Sequence, residues 1–355
     1  MSAGMAQTQR KPLSFRPWLI ILVGLVLSIA LVWTILWHVV AQQSALSLDA
    51  WIAREKAFDR NWTCPDRQVD GFPFTIEIAC SKPHFEGIIF GRHYSGALSG
   101  FVAHAKFTSP NDVTARLASP FAIVSDDKTV ALTLSWNRLD ILLAGLPQDM
   151  ATVSITGQGL SLQGHAQGLS TLQGRASRAT ATLARAASRQ DHTYNFNLVL
   201  NDASFPAVDA VVGNAVPAEI AAEGDITQAR FDPAKVPTES LNLWRAAGGH
   251  IDLAKLTVSR GEMKFNAHGM LTVDPTHRLQ GRLDTECLGF EPVLRRLGVN
   301  PALITAGSLL TSLLGGGHAS ASTAGPQPLH LPIGLDAGRL NIGPIRTSIR
   351  LPPVY

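Results

Sequence analysis

Read by hydrophobicity, the chain opens with one long apolar run and then breaks into short alternating segments. Trp18 to Val40, WLIILVGLVLSIALVWTILWHVV, is 23 residues without a formal charge. As a helix rising about 1.5 Å per residue it covers roughly 34 Å, enough to cross a hydrocarbon core of about 30 Å. In lipid such a segment must satisfy its own backbone groups, so the run predicts a transmembrane helix over 18–40. A cleaved secretory signal would have an apolar region of about 7–15 residues and a small-residue cleavage site. Here the run is longer, and the following HVVAQQSALS offers no A-x-A. Trp18 at one end and Trp33 and Trp37 towards the other suit the aromatic belts of the two interfaces.

After the span the apolar spacing predicts an amphipathic helical stalk over 41–63. Leu48, Trp51, Ile52, Glu55 and Phe58 fall near one face, and Asp49 is the candidate N-cap. From residue 64 onward the period changes to two. Phe74, Ile76, Ile78 and Cys80 alternate with Thr75, Glu77 and Ala79, and PFAIVSDDKTVALTLSW reads as two strands around Ser125–Lys128. Beyond Gly248 the pattern becomes regular: Ile251, Leu253 and Leu256, then Met263 and Phe265, then Met270, Leu271 and Val273, then Leu279 and Leu283. Asp252, Lys255, Lys264, Asn266 and His268 lie between them. This predicts a meander of antiparallel strands, polar on one face. Short helices are expected near 206–216, 239–247, 291–297 and 301–314, followed by a flexible linker at 315–325, GGGHASASTAG. The fold class expected is mainly β with short helices. One N-terminal transmembrane helix precedes a long, curved, mostly antiparallel sheet domain over 64–355.

Charge sets the orientation. Arg10, Lys11 and Arg16 precede the span and no acidic residue appears before Asp49, so a cytoplasmic tail over 1–17 and an exported domain are expected. In a bacterium that means a single pass through the inner membrane and a periplasmic domain. Charged residues are 16% of the chain, below the usual quarter, and the net charge is only +3. No basic stripe interleaves with aromatics, so nucleic acid is not an expected partner. Of the three cysteines, Cys64 and Cys80 flank CPDRQVDGFPFTIEIAC. With a turn at Gly71-Phe72-Pro73, position 64 falls opposite position 80, which suits a disulfide in an exported compartment; two reduced structural thiols are the alternative. Cys287 is left over and is expected to be buried and inert.

The segments CPDRQVDGFPFTIEIAC and LWRAAGGHIDLAKLTVSRGEMKFNAHGMLTVD, with the closing PPVY, resemble an uncharacterised family of membrane-anchored envelope proteins, common in alphaproteobacteria and known only as a domain of unknown function. The second segment also resembles, over a shorter stretch, the repeating strands of AsmA-like periplasmic proteins. That resemblance implies an elongated sheet with an apolar groove for lipids. Neither resemblance supplies catalytic residues.

Catalytic patterns are missing from the sequence. There is no G-x-S-x-G, no G-x-x-x-x-G-K-[ST], no strand-borne G-x-G-x-x-G and no H-E-x-x-H. The histidines, among them His104, His165, His250 and His268, are scattered without zinc spacing. Asp126-Asp127 reads as a hairpin turn rather than a carboxylate pair. The expectation is therefore a non-enzymatic protein without cofactor or metal. Its partners are the bilayer and a phospholipid or lipid precursor; the alternative is a scaffold that binds another envelope protein. A sheet with one apolar face must be covered by helices, another sheet or a ligand. The candidate groove residues are Ile251, Leu253, Met263, Phe265, Leu271 and Val273. Leu303, Leu309, Leu310 and Leu313 on the helix over 301–314 are the candidate flap.

Overall fold

The computed structural model describes residues 15–89, 91–146, 150–166, 169–189, 191–230, 237–290, 293, 328–343 and 345–354. The helix expected at 301–314, its four leucines Leu303, Leu309, Leu310 and Leu313, the linker at 315–325 and most of the tail at 1–17 lie outside the described residues.

One helix, α1 (Phe15–Ala57), carries the apolar run, and from Trp18 it is long and apolar enough to cross a membrane. Its outward residues between Leu19 and Leu36 stand more than 45% exposed, as lipid-facing side chains would. The expected stalk is not a separate helix. α1 continues through it to Ala57, and Arg60–Thr63 is already the first strand, β1. No Gly or Pro interrupts the stretch from Val40 to Ala57, so nothing in the backbone breaks the helix where hydropathy drops. Asp49 accordingly sits inside the helix and pairs with Arg67 rather than capping.

Among the described residues the strands form one antiparallel sheet of 19 strands. β2 (Gln68–Asp70), β3 (Thr75–Ser81), β4 (His84–Ile89), β5 (Arg92–Lys106) and β6 (Ser109–Ser125) form its first part, with β3 and β4 both alongside β5. Next come β7 (Ala131–Ser135) and β8 (Arg138–Ala144), which share the partners β6 and β9 (Thr152–Ala166). From there the sheet is a plain meander through β10 (Leu169–Arg185), β11 (Tyr194–Ala203), β12 (Ala218–Ile226), β13 (Ile251–Arg260), β14 (Met263–Val273) and β15 (Leu279–Leu288). It closes with β16 (Leu329–His330), β17 (Ile333–Asp336), β18 (Arg339–Ile342) and β19 (Ile345–Arg350). Among the described residues two short helices interrupt it, α2 (Pro206–Val212) and α3 (Pro237–Ala246). α2 begins with Pro, whose fixed φ suits a first turn, and ends on Gly213 in the left-handed region.

Cys64 and Cys80 form a disulfide, with Cα atoms 5.8 Å apart. The geometry differs from the expected hairpin pair. β2 and β3 align Gln68 with Ala79 and Asp70 with Glu77, a register that leaves Cys64 well out of line with Cys80. Instead Cys64 follows β1, which pairs with β4, so the bridge ties the first edge strand to β3. The turn spans Gly71 to Thr75, longer than the three residues expected: Thr75 N donates to Gly71 O across it. Gly71 holds φ +104° there, and a Cβ on it would lie 2.7 Å from Thr75 O.

Candidate functional site

The sheet brings one face of β3, β5, β6 and β8 to β14 into line. Residues directly opposite in an antiparallel ladder share a face, so the register can be followed from strand to strand. Ile78, Ala103, Ala115, Ile141, Ile155, Ala181, Leu198, Ala222, Leu256 and Ala267 form a row across ten strands from β3 to β14. Every member is apolar. A second row on the same face starts at Cys80 and passes through Phe101, Leu117, Leu139, Leu200, Val258 and Phe265 to Cys287. A third starts at Ile76 and passes through Val113, Leu143, Leu183, Phe196 and Leu253 to Leu283 and Ile333. Nine inter-strand steps of about 4.8 Å make the first row roughly 43 Å long.

The reverse face is polar. Arg116 and Arg138 both pair with Asp140 there, Arg189 pairs with Asp191 and Asp225, and Asn195 donates to Asp225. Lys264, Asn266 and His268 stand exposed on it, as the alternation required. Met270 is a correction: it is 52% exposed on the polar face, while Leu271 beside it turns inward.

Among the described residues the closest backbone approaches are between neighbouring strands, together with α1 against β1 and α2 against β10. Most row residues are only half-buried, and Ile155 in mid-row is 38% exposed. Among the described residues a small compact cluster of buried apolar side chains sits at the far end: Cys287, Leu331 and Ile342, with Phe265, Phe290 and Leu329 against it. The arrangement is an apolar sheet face, termed the trough below, backed by a charged surface.

All six predicted groove residues lie on this face. Ile251 is opposite Leu271, Leu253 opposite Gly269, Phe265 opposite Cys287 and Val273 opposite Leu279. Met263 sits at the rim opposite Arg260. Leu253 and Val273 are buried; the other four are half-buried. Sequence reasoning confined the groove to β13 and β14, whereas the rows run back to β3. It missed Phe101, Leu139, Ile141, Ile155, Leu183 and Leu198. The alternation was present in those segments too, but small residues such as Ala103, Ala115 and Ala181 diluted it.

Arg260 was also missed. It is 7% exposed on the trough side, donates to Asp209 and to Asn214 O, and so fastens α2 to the end of β13. Asp126 and Asp127 occupy the turn between β6 and β7. Asp127 accepts from Ser125 Oγ and from Thr129 N and Oγ1, which hold its carboxyl down at about 2. That is turn anchoring, as expected. Among the described residues no group of three or more His, Cys, Asp and Glu side chains could hold a metal ion.

One membrane-length helix followed by a single amphipathic antiparallel sheet defines the class of protein. The chain belongs to the family described as an uncharacterised protein conserved in bacteria (DUF2125), whose pattern matches residues 37–349. No curated protein and no solved structure matches it.

Proposed function

We propose that this is a non-catalytic envelope protein, anchored in the inner membrane by α1, that binds and carries phospholipid acyl chains along its apolar trough on the periplasmic side. The observation that carries this reading is the set of apolar rows whose members, among the described residues, are mostly only half-buried. Fully burying one Leu, Ile or Phe is worth about 1.5–3 kcal/mol, so leaving more than a dozen of them half-covered forgoes a large stabilisation unless something apolar occupies the face. A row of roughly 43 Å is about three times the ~15 Å depth of one leaflet, which suits successive chains better than one enclosed lipid. The Cys64–Cys80 disulfide supports an oxidising compartment, and Arg10, Lys11 and Arg16 ahead of the span support an inside N-terminus. The AsmA-like resemblance of the strands from Gly248 to Asp274 points the same way.

The test compares lipid bound to the full chain, extracted in mild detergent, by mass spectrometry. Lipid around α1 is common to every variant, so the difference between variants reports the trough. Ile155→Glu and Phe265→Glu are expected to lose several-fold of the bound phospholipid while keeping the strand signal and the disulfide. Equal lipid in the wild type and in folded glutamate variants would refute the reading. An envelope protein recovered on the wild type and lost from the same variants would favour the scaffold instead.

A further inference from the structure

The turn between β2 and β3 is held against the apolar part of α1. Trp33 Nε1 donates to Pro73 O at 2.9 Å, and Trp37 Nε1 donates to Thr75 O at 2.7 Å. The Trp33 ring lies 6.2 Å from Phe74 and 4.9 Å from Phe107 in the neighbouring β5–β6 turn, while Trp37 meets Phe72 edge-on at 5.5 Å. These contacts fix a depth. Counted from Trp18 at about 1.5 Å per residue, Trp33 stands ~22 Å and Trp37 ~28 Å along the helix axis. Both fall within or at the far edge of a hydrocarbon core of about 30 Å whose near edge is at Trp18. Phe72 and Phe74, pinned to these tryptophans, are nonetheless 53% and 70% exposed.

We propose that the turn tip Gly71-Phe72-Pro73-Phe74, with Phe107 beside it, is a second membrane-binding element, inserted into the leaflet on the sheet side of the bilayer that α1 spans. Two large aromatic side chains flanking a proline, without a charge in the tip, are what an interfacial loop needs. Lys106 at the end of β5 is exposed at the same level and reaches towards phosphate headgroups. The consequence for the trough is direct. Ile76, the first residue of the third row, follows Thr75, so the row nearest the tip opens at the leaflet. The insertion rests on α1 crossing a bilayer and not on acyl chains occupying the trough.

The experiment uses the full chain in nanodiscs of phosphatidylethanolamine and phosphatidylglycerol. A bimane label is placed at Phe74→Cys and, as a control, at Lys128→Cys in the β6–β7 turn. Strand β6, 17 residues long, separates the control from Phe107 by roughly 55 Å. The native cysteines are bridged or buried, so the labels are site-specific. The label at 74 is expected to be quenched at least twofold by lipids brominated high on their chains and to be shielded from aqueous iodide. The label at 128 should behave in the opposite way. Equal iodide access at both positions, in protein that retains its Cys64–Cys80 disulfide, overturns the proposal. Quenching at 74 in a protein whose glutamate variants bind as much lipid as the wild type would keep the tip and discard the trough.

Discussion

At the scale of single residues, the three cysteines divide into a bridge and an inert thiol. Cys287 is 6% exposed in the second apolar row, opposite Phe265, and burial pushes its thiol up to about 11. The ordinary value is 9.0, so at pH 8 its thiolate is roughly a hundredfold scarcer than on an exposed cysteine. An alkylating reagent at pH 8 should therefore modify no cysteine in the native protein, one after denaturation without reductant, and three after reduction. Labelling of two or three sites before reduction would break the disulfide assignment. The pairing of Cys64 with Cys80 was legible because the two cysteines flank one turn-and-strand segment, CPDRQVDGFPFTIEIAC. The register was not legible. It depended on a turn running from Gly71 to Thr75 rather than three residues, and on Cys64 following a strand that pairs with β4, a long-range contact invisible in local alternation.

At the scale of elements, α2 is held by one buried ion pair. The Arg260 and Asp209 side chains are 8% and 12% exposed, and Arg260 also donates to Asn214 O just beyond the helix. Removing one partner leaves the other charged and desolvated, so Asp209→Ala should cost about 3–5 kcal/mol in denaturant unfolding, whereas Asp209→Ala with Arg260→Met should recover much of it. A single variant within ~1 kcal/mol of the wild type would mean that the pair is open to water. The sequence hid this pair because Arg260 lies 51 residues from Asp209 and stands at an apolar position of β13. The bulge in the same strand shows the opposite case. Leu253 and Leu256 are spaced by an odd number, which strict alternation would put on opposite faces. The register shifts between them, absorbing one extra residue of β13 and returning both leucines to the trough. The apolar pattern was thus readable even where the backbone departs from regularity. The end of the helix was not readable: the helical stalk was expected to reach 63, but α1 stops at Ala57 and Arg60–Thr63 is a strand.

At the scale of the molecule, the sheet is a surface with two chemistries, and under the proposed function its length favours passage over storage. A pocket for one phospholipid would concentrate its apolar residues over ~15 Å, the depth of one leaflet. Here the apolar identity persists from Ile78 on β3 to Ala267 on β14, with small residues at intervals and no charged side chain in the row. A sheet face built in this way has no single preferred stopping point for a hydrocarbon chain. A photoreactive phenylalanine analogue placed in turn at Ile78, Ile155, Leu198 and Leu256 should therefore form phospholipid adducts at all four positions in cells. The same analogue at Thr114, Asn197 and Asn266 on the polar face should form none, because those positions stand beside the row positions Ala115, Leu198 and Ala267 but point the other way. Introducing Ile155→Glu should then separate the positions. A charge in the middle of the row would leave adducts at Ile78, nearest α1, and deplete them at Leu198 and Leu256 beyond it. Adducts confined to one position would mean a single bound lipid, and adducts unaffected by Ile155→Glu would mean that each segment of the trough fills independently from its open side.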